Sequence, residues 1–359
     1  MAERLITPTQ LALFSRSPVI GAWWEELKAQ GLFKEQRPET TPLDDLLFKQ
    51  GHQHEEVLLE WLEAEGKDVY RHQPVEKEGP PQEEDYAKTK DAMRQGRQYI
   101  HQAALKNAEI RGWADLLERI EKPSALGDWS YIPIECKLSS HPKPIYLVQA
   151  CAYCELLEPI LGERPKHFKL YLGGRRFELG EHGYPVERFW SWYEQLRQRY
   201  RNFRAAFDSS QEPDDAPGDH GQWEPFIEER LKKKRDVILV AGLSGSQRDK
   251  LKRAGIHTIE KLAALTEQSR VPSVNSDILQ RLREQAAIQV ETRADDERPA
   301  FRMRPIEEQG RGLALLPSPN EGDIWFDMEG DPFANSGDGL EYMFGYLWQE
   351  DSNYHFNTF

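Results

Sequence analysis

RGWADLLERIEKPSALGDWSYIPIECKL, running from Arg111 to Leu138, is the stretch whose reading decides the fold. Two apolar runs flank a charged connection that contains glycine and proline. The first run, residues 112–117, reads as a strand carrying Asp115. The second, residues 131–138, reads as a strand ending in Glu135-Cys136-Lys137. Side chains alternate faces along a strand, so Glu135 and Lys137 point the same way. With a second acid from a paired strand, such an arrangement can hold a divalent metal. It can also set a lysine beside the water to be activated. Alone, a Glu-x-Lys pair is more often a solvated face, and an aspartate in the position of Asp115 can simply begin a turn. The order of features around the two strands separates these readings.

Downstream, His141-Pro142-Lys143-Pro144 is a stiff turn. Residues 145–157 then form a helix carrying Gln149 and Tyr153 one turn apart on one face. A strand follows at residues 167–172, a tight turn at Gly173-Gly174, and an aromatic, basic helix at residues 185–207. Upstream, Thr7 caps a helix with Pro8 at its first position, and Leu11, Leu13, Phe14, Trp23 and Trp24 supply its packing. A helix over residues 44–64 holds Gly51, His52, Gln53, His54 and Glu55, with apolar positions recurring at three and four residues. Gly66 ends it and residues 68–70 begin a short strand. Residues 75–85 form a polar loop broken by Gly79-Pro80-Pro81. Residues 89–105 are expected to be a third helix, with Met93, Ile100 and Leu105 turned inward.

In this order the features resemble the RecB-like nucleases of the PD-(D/E)XK superfamily, and among them a bacterial family of RecB-like putative nucleases with a C-terminal YprB-type RNase H-like region. The resemblance covers residues 1–207 for the nuclease core. It implies an α/β fold: a restriction-endonuclease-like core of mixed central sheet flanked by helices, then a helix-hairpin-helix-like module and a truncated RNase H-like sheet. It also implies a site. The helix ligand falls on Glu55, with His54 as competitor; the aspartate of the PD element falls on Asp115. The (D/E)XK pair falls on Glu135 and Lys137, and the glutamine of the following helix on Gln149. Ala114 stands where proline precedes the aspartate in other members, and Glu135 stands where this family has aspartate. The implied cofactor is Mg²⁺ or Mn²⁺, hard cations that take oxygen ligands from Glu55, Asp115 and Glu135. Lys137 would orient the nucleophile or offset developing charge, and Gln149 would bond the DNA backbone or the lysine. Tyr153 reads first as core packing.

Beyond residue 207 the chain changes character. Residues 208–222 form a linker nearly free of apolar side chains. Residues 223–292 read as a helical module in which residues 250–256 resemble a helix-hairpin-helix turn. That turn has one glycine where the usual motif has two, so DNA binding and a purely structural or protein-binding helical pair weigh equally. The run Lys232-Lys233-Lys234-Arg235 fits a solvated helix end. After a connector at 293–322, residues 323–359 supply three candidate strands. Asp327 and Glu329 on the first resemble the opening motif of DEDD-type exonucleases, a second metal site whose remaining acids would lie past Phe359. The chain is therefore expected to be part of a longer protein.

The chain has 359 residues and a net charge of −14, which weighs against a protein coated by nucleic acid but leaves room for a local phosphate grip. No run approaches the ~20 apolar residues of a membrane helix, and the first residues lack the basic flank and apolar centre of a secretory signal. Cys136, Cys151 and Cys154 form no disulfide framework and fall short of the four thiolates of an iron–sulfur cluster, so none is expected. The expectation is a cytoplasmic DNA nuclease of repair or processing, with DNA as partner, no membrane, and a helicase as partner or fused neighbour. The alternatives are a catalytically weak nuclease-like scaffold that binds DNA or a helicase, and an exonuclease whose activity resides beyond Phe359.

Overall fold

The computed structural model describes residues 4–39, 41–75, 79–173, 183–292, 299–303, 312–331, 334 and 339–359. Two compact units are present. One comprises Met1–Glu35, Glu39–Glu212 and Met328–Met343; the other comprises Gln36–Pro38, Pro213–Asp327 and Phe344–Phe359.

The first unit is built on a six-stranded mixed sheet in simple order: β1 (Val69–Arg71), β2 (Tyr99–Lys106), β3 (Arg111–Ile120), β4 (Ser130–Lys137), β5 (His167–Leu172) and β6 (Tyr184–Pro185). Strands β2, β3 and β4 form an antiparallel meander, while β1 and β5 join it parallel to β2 and β4. A parallel pair needs a crossover, and α5 (Pro144–Leu161) provides it between β4 and β5. Helices α1 (Pro8–Arg16), α2 (Ile20–Ala29) and α6 (Glu187–Ala205) complete the layer on the α5 side; α3 (Pro42–Ala64) contributes the opposite layer. The larger core gathers Leu11 and Phe14, Val148, Cys151 and Leu156 of α5, and Ile100, Leu117 and Phe168 of the sheet. The smaller core packs Leu58, Leu59 and Leu62 of α3 on Tyr99, Leu116, Ile134 and Tyr171. Both faces of the sheet are thus covered, which is why β4 reads as a continuous apolar run with six buried positions.

The local signals explain most element ends. Thr7 and Gln10 form a capping box at α1, with Pro8 at the first turn. The aromatic pair Trp23-Trp24 belongs to α2, a separate helix after the Ser17-Pro18 break. Residues 89–105 are not one helix: α4 (Glu83–Arg94) ends there, and β2 begins at Tyr99. Gly96, at φ +71°, takes the left-handed conformation that closes a helix. The following segment has the buried positions Tyr99, Ile100, Ala103, Ala104 and Leu105; the first four share the spacing of a helical stripe, so the apolar pattern by itself does not separate helix from strand there. The start of α4 lies within the stretch read as polar loop, because Asp85 caps it through the amides of Val75 and Gln82 and accepts from His72. Gly173 is demanded by close approach: a Cβ there would lie 2.1 Å from the carbonyl oxygen of Leu138. Gly174 falls outside the described residues.

In the second unit, α7 (Glu224–Lys234), α8 (Gly245–Arg253), α9 (Ile259–Ala263) and α10 (Ser276–Glu291) supply the helices. Val237, Leu251, Ile256, Leu262, Leu279 and Leu282 form the core around α8 to α10. Gly255, at φ +81°, makes the α8–α9 turn. The basic run is neutralised locally: Lys232 and Lys233 pair with Glu228 and Glu229 one turn back, Lys234 with Asp215, and Arg235 with Glu260. Asp215, read as linker, is fully buried and also paired with Arg230. The last three strands, β7 (Ile324–Asp331), β8 (Leu340–Glu350) and β9 (Asn353–Thr358), form their own three-stranded sheet. Pro332, read as part of the turn after β7, lies outside the described residues.

Candidate active site

The site begins where the sheet forks. The β3–β4 ladder runs from Ile120 opposite Ser130 to Leu116 opposite Ile134 and stops there. The next row would set Asp115 against Glu135. Instead β4 continues alongside β5, with Glu135 opposite Leu170 and Lys137 opposite Leu172. The amide of Cys136 is left without a strand partner on the β3 side, and the Asp115 carboxylate takes it: Cys136 N donates to Asp115 Oδ2 at 2.9 Å. An aspartate here thus satisfies an amide that the splayed ladder has released.

A second irregularity faces the first. The β2–β3 register passes from His101 opposite Leu116 to Ala103 opposite Ala114, skipping the pair Gln102 and Asp115. Gln102 sits at φ +47°, the left-handed region that a non-glycine residue rarely occupies inside a strand. The alternation slips accordingly. Ile100 and Ala103, three residues apart, both enter the larger core, and so do Ala114 and Leu117 across Asp115. A regular strand would turn such pairs to opposite faces.

Lys137 bridges the two acids. Its Nζ lies 2.7 Å from Glu135 Oε2 and 3.1 Å from Asp115 Oδ2, so the period-two expectation that Glu135 and Lys137 share a face holds at the level of atoms. The Glu135 side chain is 1 % exposed and its Oε1 accepts no hydrogen bond from the described residues. Burial, then the neighbouring charge of Asp115, push the Glu135 carboxyl up to about 8, against the pull of Lys137. Burial likewise raises Asp115; Lys137 opposes this and Glu55 reinforces it. For Lys137, burial alone would disfavour the ammonium, but the two carboxylates outweigh it and hold the amine well above its ordinary value.

Glu55 reaches this field from α3. Its Oε1 accepts from His101 Nε2 and Gln102 Nε2, each at 2.9 Å. Burial would raise the Glu55 carboxyl, but these hydrogen bonds, led by that of His101, bring it below its usual value. Its charge is near enough to raise both Asp115 and Glu135. His54, the competitor at this position, turns elsewhere: its ring stacks on Tyr171 at 4.3 Å between centroids, and burial lowers its pKa. Gln149 is half-buried on α5 and makes no hydrogen bond to the described residues, so the structure does not join it to the carboxylates. Tyr153 is buried, and its hydroxyl donates to the Trp113 carbonyl at 2.5 Å, tying α5 to β3. His101 and Gln102 escaped sequence reasoning. Residue 101 sat in a segment read as helix, and no local signal marks a glutamine for the left-handed region.

Asp115, Glu135 and Lys137 are therefore brought together, two acids on one ammonium, and the charge of Glu55 acts on both acids from its place beside His101 and Gln102. Among the described residues, however, no group of three or more His, Cys, Asp or Glu side chains stands close enough to hold a metal ion. Asp327 and Glu329 lie on exposed β7. Cys151 and Cys154 are buried in α5, and burial raises both thiols, Cys151 to about 12, as expected of packing residues. No helix of the described residues is long and apolar enough to cross a membrane. No protein-family model matches the chain, and no curated protein matches its sequence.

Proposed function

We propose that the chain is a divalent-metal-dependent nuclease that hydrolyses phosphodiester bonds of DNA, with its site in the β3–β4 fork. The observation that carries this reading is the convergence of Asp115 and Glu135 on Lys137, with the charge of Glu55 acting on both acids. The donor chemistry suits Mg²⁺ or Mn²⁺. All three acids are hard oxygen donors, and Glu135 Oε1 is a buried acceptor without a donor among the described residues. Glu55, Asp115 and Glu135 would hold the ion, which when bound supplies Lewis acidity towards a phosphodiester.

The chain's own groups do the rest. Lys137, held cationic between Glu135 and Asp115, is placed to orient a nucleophilic water or to offset charge building on phosphate oxygens. Asp115 fixes the end of β4 through the Cys136 amide, and with it the direction of Glu135 and Lys137. The test is cleavage of single- and double-stranded DNA by the purified chain with Mg²⁺ or Mn²⁺, beside Lys137→Ala and Glu135→Gln. Equal rates in all three proteins overturn the assignment.

One observation favours a second reading. Lys137 already bridges both acids, and Glu135 is one methylene longer than the aspartate of the resembled family. A scaffold that binds DNA or a helicase without cutting fits that arrangement. Calorimetry separates the two: a Mn²⁺ site lost in Asp115→Ala belongs to the nuclease, and no site at all belongs to the scaffold.

A further inference from the structure

We infer that Gln102, working with His101, is a positioning residue whose left-handed backbone aims the Glu55 carboxylate at the fork. This rests on the reading of Glu55, Asp115 and Glu135 as a cation site. Three observations meet at one residue. Gln102 holds φ +47° in the middle of β2. It occupies the skipped ladder position directly across from Asp115. Its side chain spends its amide on Glu55 Oε1 at 2.9 Å.

A glutamine in a regular strand would not need that conformation, and backbone held in a sparsely populated region persists only where its surroundings over-determine it. Here the slip has a consequence. In a strict alternation, His101 and Gln102 would project to opposite faces of β2, yet both side chains reach the same oxygen of the same glutamate. Because the acceptor is a carboxylate, Nε2 of His101 carries the proton. With both donors on Oε1, Oε2 of Glu55 receives no hydrogen bond from the described residues and would be the oxygen offered to a cation. This is the outer-shell role by which a second residue fixes the orientation of a metal ligand.

The experiment uses the full chain and reads two quantities: thermal midpoint and Mn²⁺ affinity by calorimetry, for wild type, Asp115→Ala, Gln102→Gly and Gln102→Asn. Glycine accepts the left-handed conformation but has no amide. Asparagine tolerates the conformation and keeps an amide, one methylene short of Glu55. The expected result is a Gln102→Gly midpoint equal to or above that of wild type, with Mn²⁺ affinity about 10-fold weaker or more. Gln102→Asn should lose affinity as well, without loss of midpoint. A role confined to structure predicts the reverse, a lower midpoint with the affinity intact. Wild-type affinity in Gln102→Gly, while Asp115→Ala loses the site, overturns the clamp alone. A wild-type chain with no Mn²⁺ site removes the cation reading itself, and the clamp with it.

Discussion

Two described strands carry an acid-x-charged pair, Glu135 and Lys137 on β4 and Asp327 and Glu329 on β7, and they have opposite fates. Glu135 and Lys137 close β4 inside a sheet covered on both faces, whereas Asp327 and Glu329 stand on β7, every residue of which is exposed. At the fork, burial and mutual repulsion push Glu135 up to about 8 and tie Asp115, Lys137 and Glu55 into one electrostatic unit. The short motif is the same kind of object in both places. What differs is the removal of water, which turns neighbouring charges from screened bystanders into determinants of one another's protonation.

The comparison breaks most easily at the lysine. On the proposed nuclease reading, Lys137→Ala should lower Mn²⁺-dependent DNA cleavage by about 100-fold or more, while Asp327→Asn and Glu329→Gln leave the rate unchanged. Single-turnover assays on a labelled oligonucleotide check this, and a larger loss in the β7 variants would move the chemistry to the other sheet. Next comes stability. Asp115→Ala strands the Cys136 amide and should cost roughly 1–3 kcal/mol by urea denaturation, whereas Asp327→Ala should stay within about 0.5 kcal/mol.

A pH series sharpens the contrast. The Glu135 carboxyl binds its proton more tightly folded, at about 8, than unfolded, at 4.5. The folded state therefore holds the extra proton in that window, and stability falls as pH rises through it. Acids with lowered values, such as Asp85 and Asp236, act in the opposite sense but at more acidic pH. In EDTA, urea midpoints should thus drop between pH 5.5 and 8.5 in the wild type, with the drop reduced in Glu135→Gln. The smallest effect concerns Tyr153. Tyr153→Phe removes the hydrogen bond to the Trp113 carbonyl and should cost about 1 kcal/mol without changing Mn²⁺ affinity. A changed affinity would make Tyr153 part of the site.

The central strands were legible because burial on both faces writes apolar runs into β4 and β5, and because the Glu-x-Lys pair must share a face at period two. The helix expected over residues 89–105 shows the limit. Its inward candidates, Met93, Ile100 and Leu105, are all buried as anticipated, but Gly96 divides them between a helix and a strand. Core membership could be read correctly while the element was not, since an apolar residue reports burial more directly than it reports backbone period. His72 and Asp85 illustrate the same limit: neither drew notice in sequence, and together they form a buried pair at 2.9 Å that anchors the start of α4.

By itself the amino-acid order determined the local facts: which segments are strands at the site, that Glu135 and Lys137 lie on one side of β4, and which acids are available. Only the tertiary structure decided that Glu55 accepts from His101 and Gln102 while His54 stacks on Tyr171, that Asp115 caps the Cys136 amide, and that Gln102 takes a left-handed backbone inside β2. The reason is physical. Alternation and capping are properties of a few consecutive residues. A carboxylate's partner, by contrast, and the water it loses, are set by chain segments tens of residues away that meet only when the sheet and α3 pack.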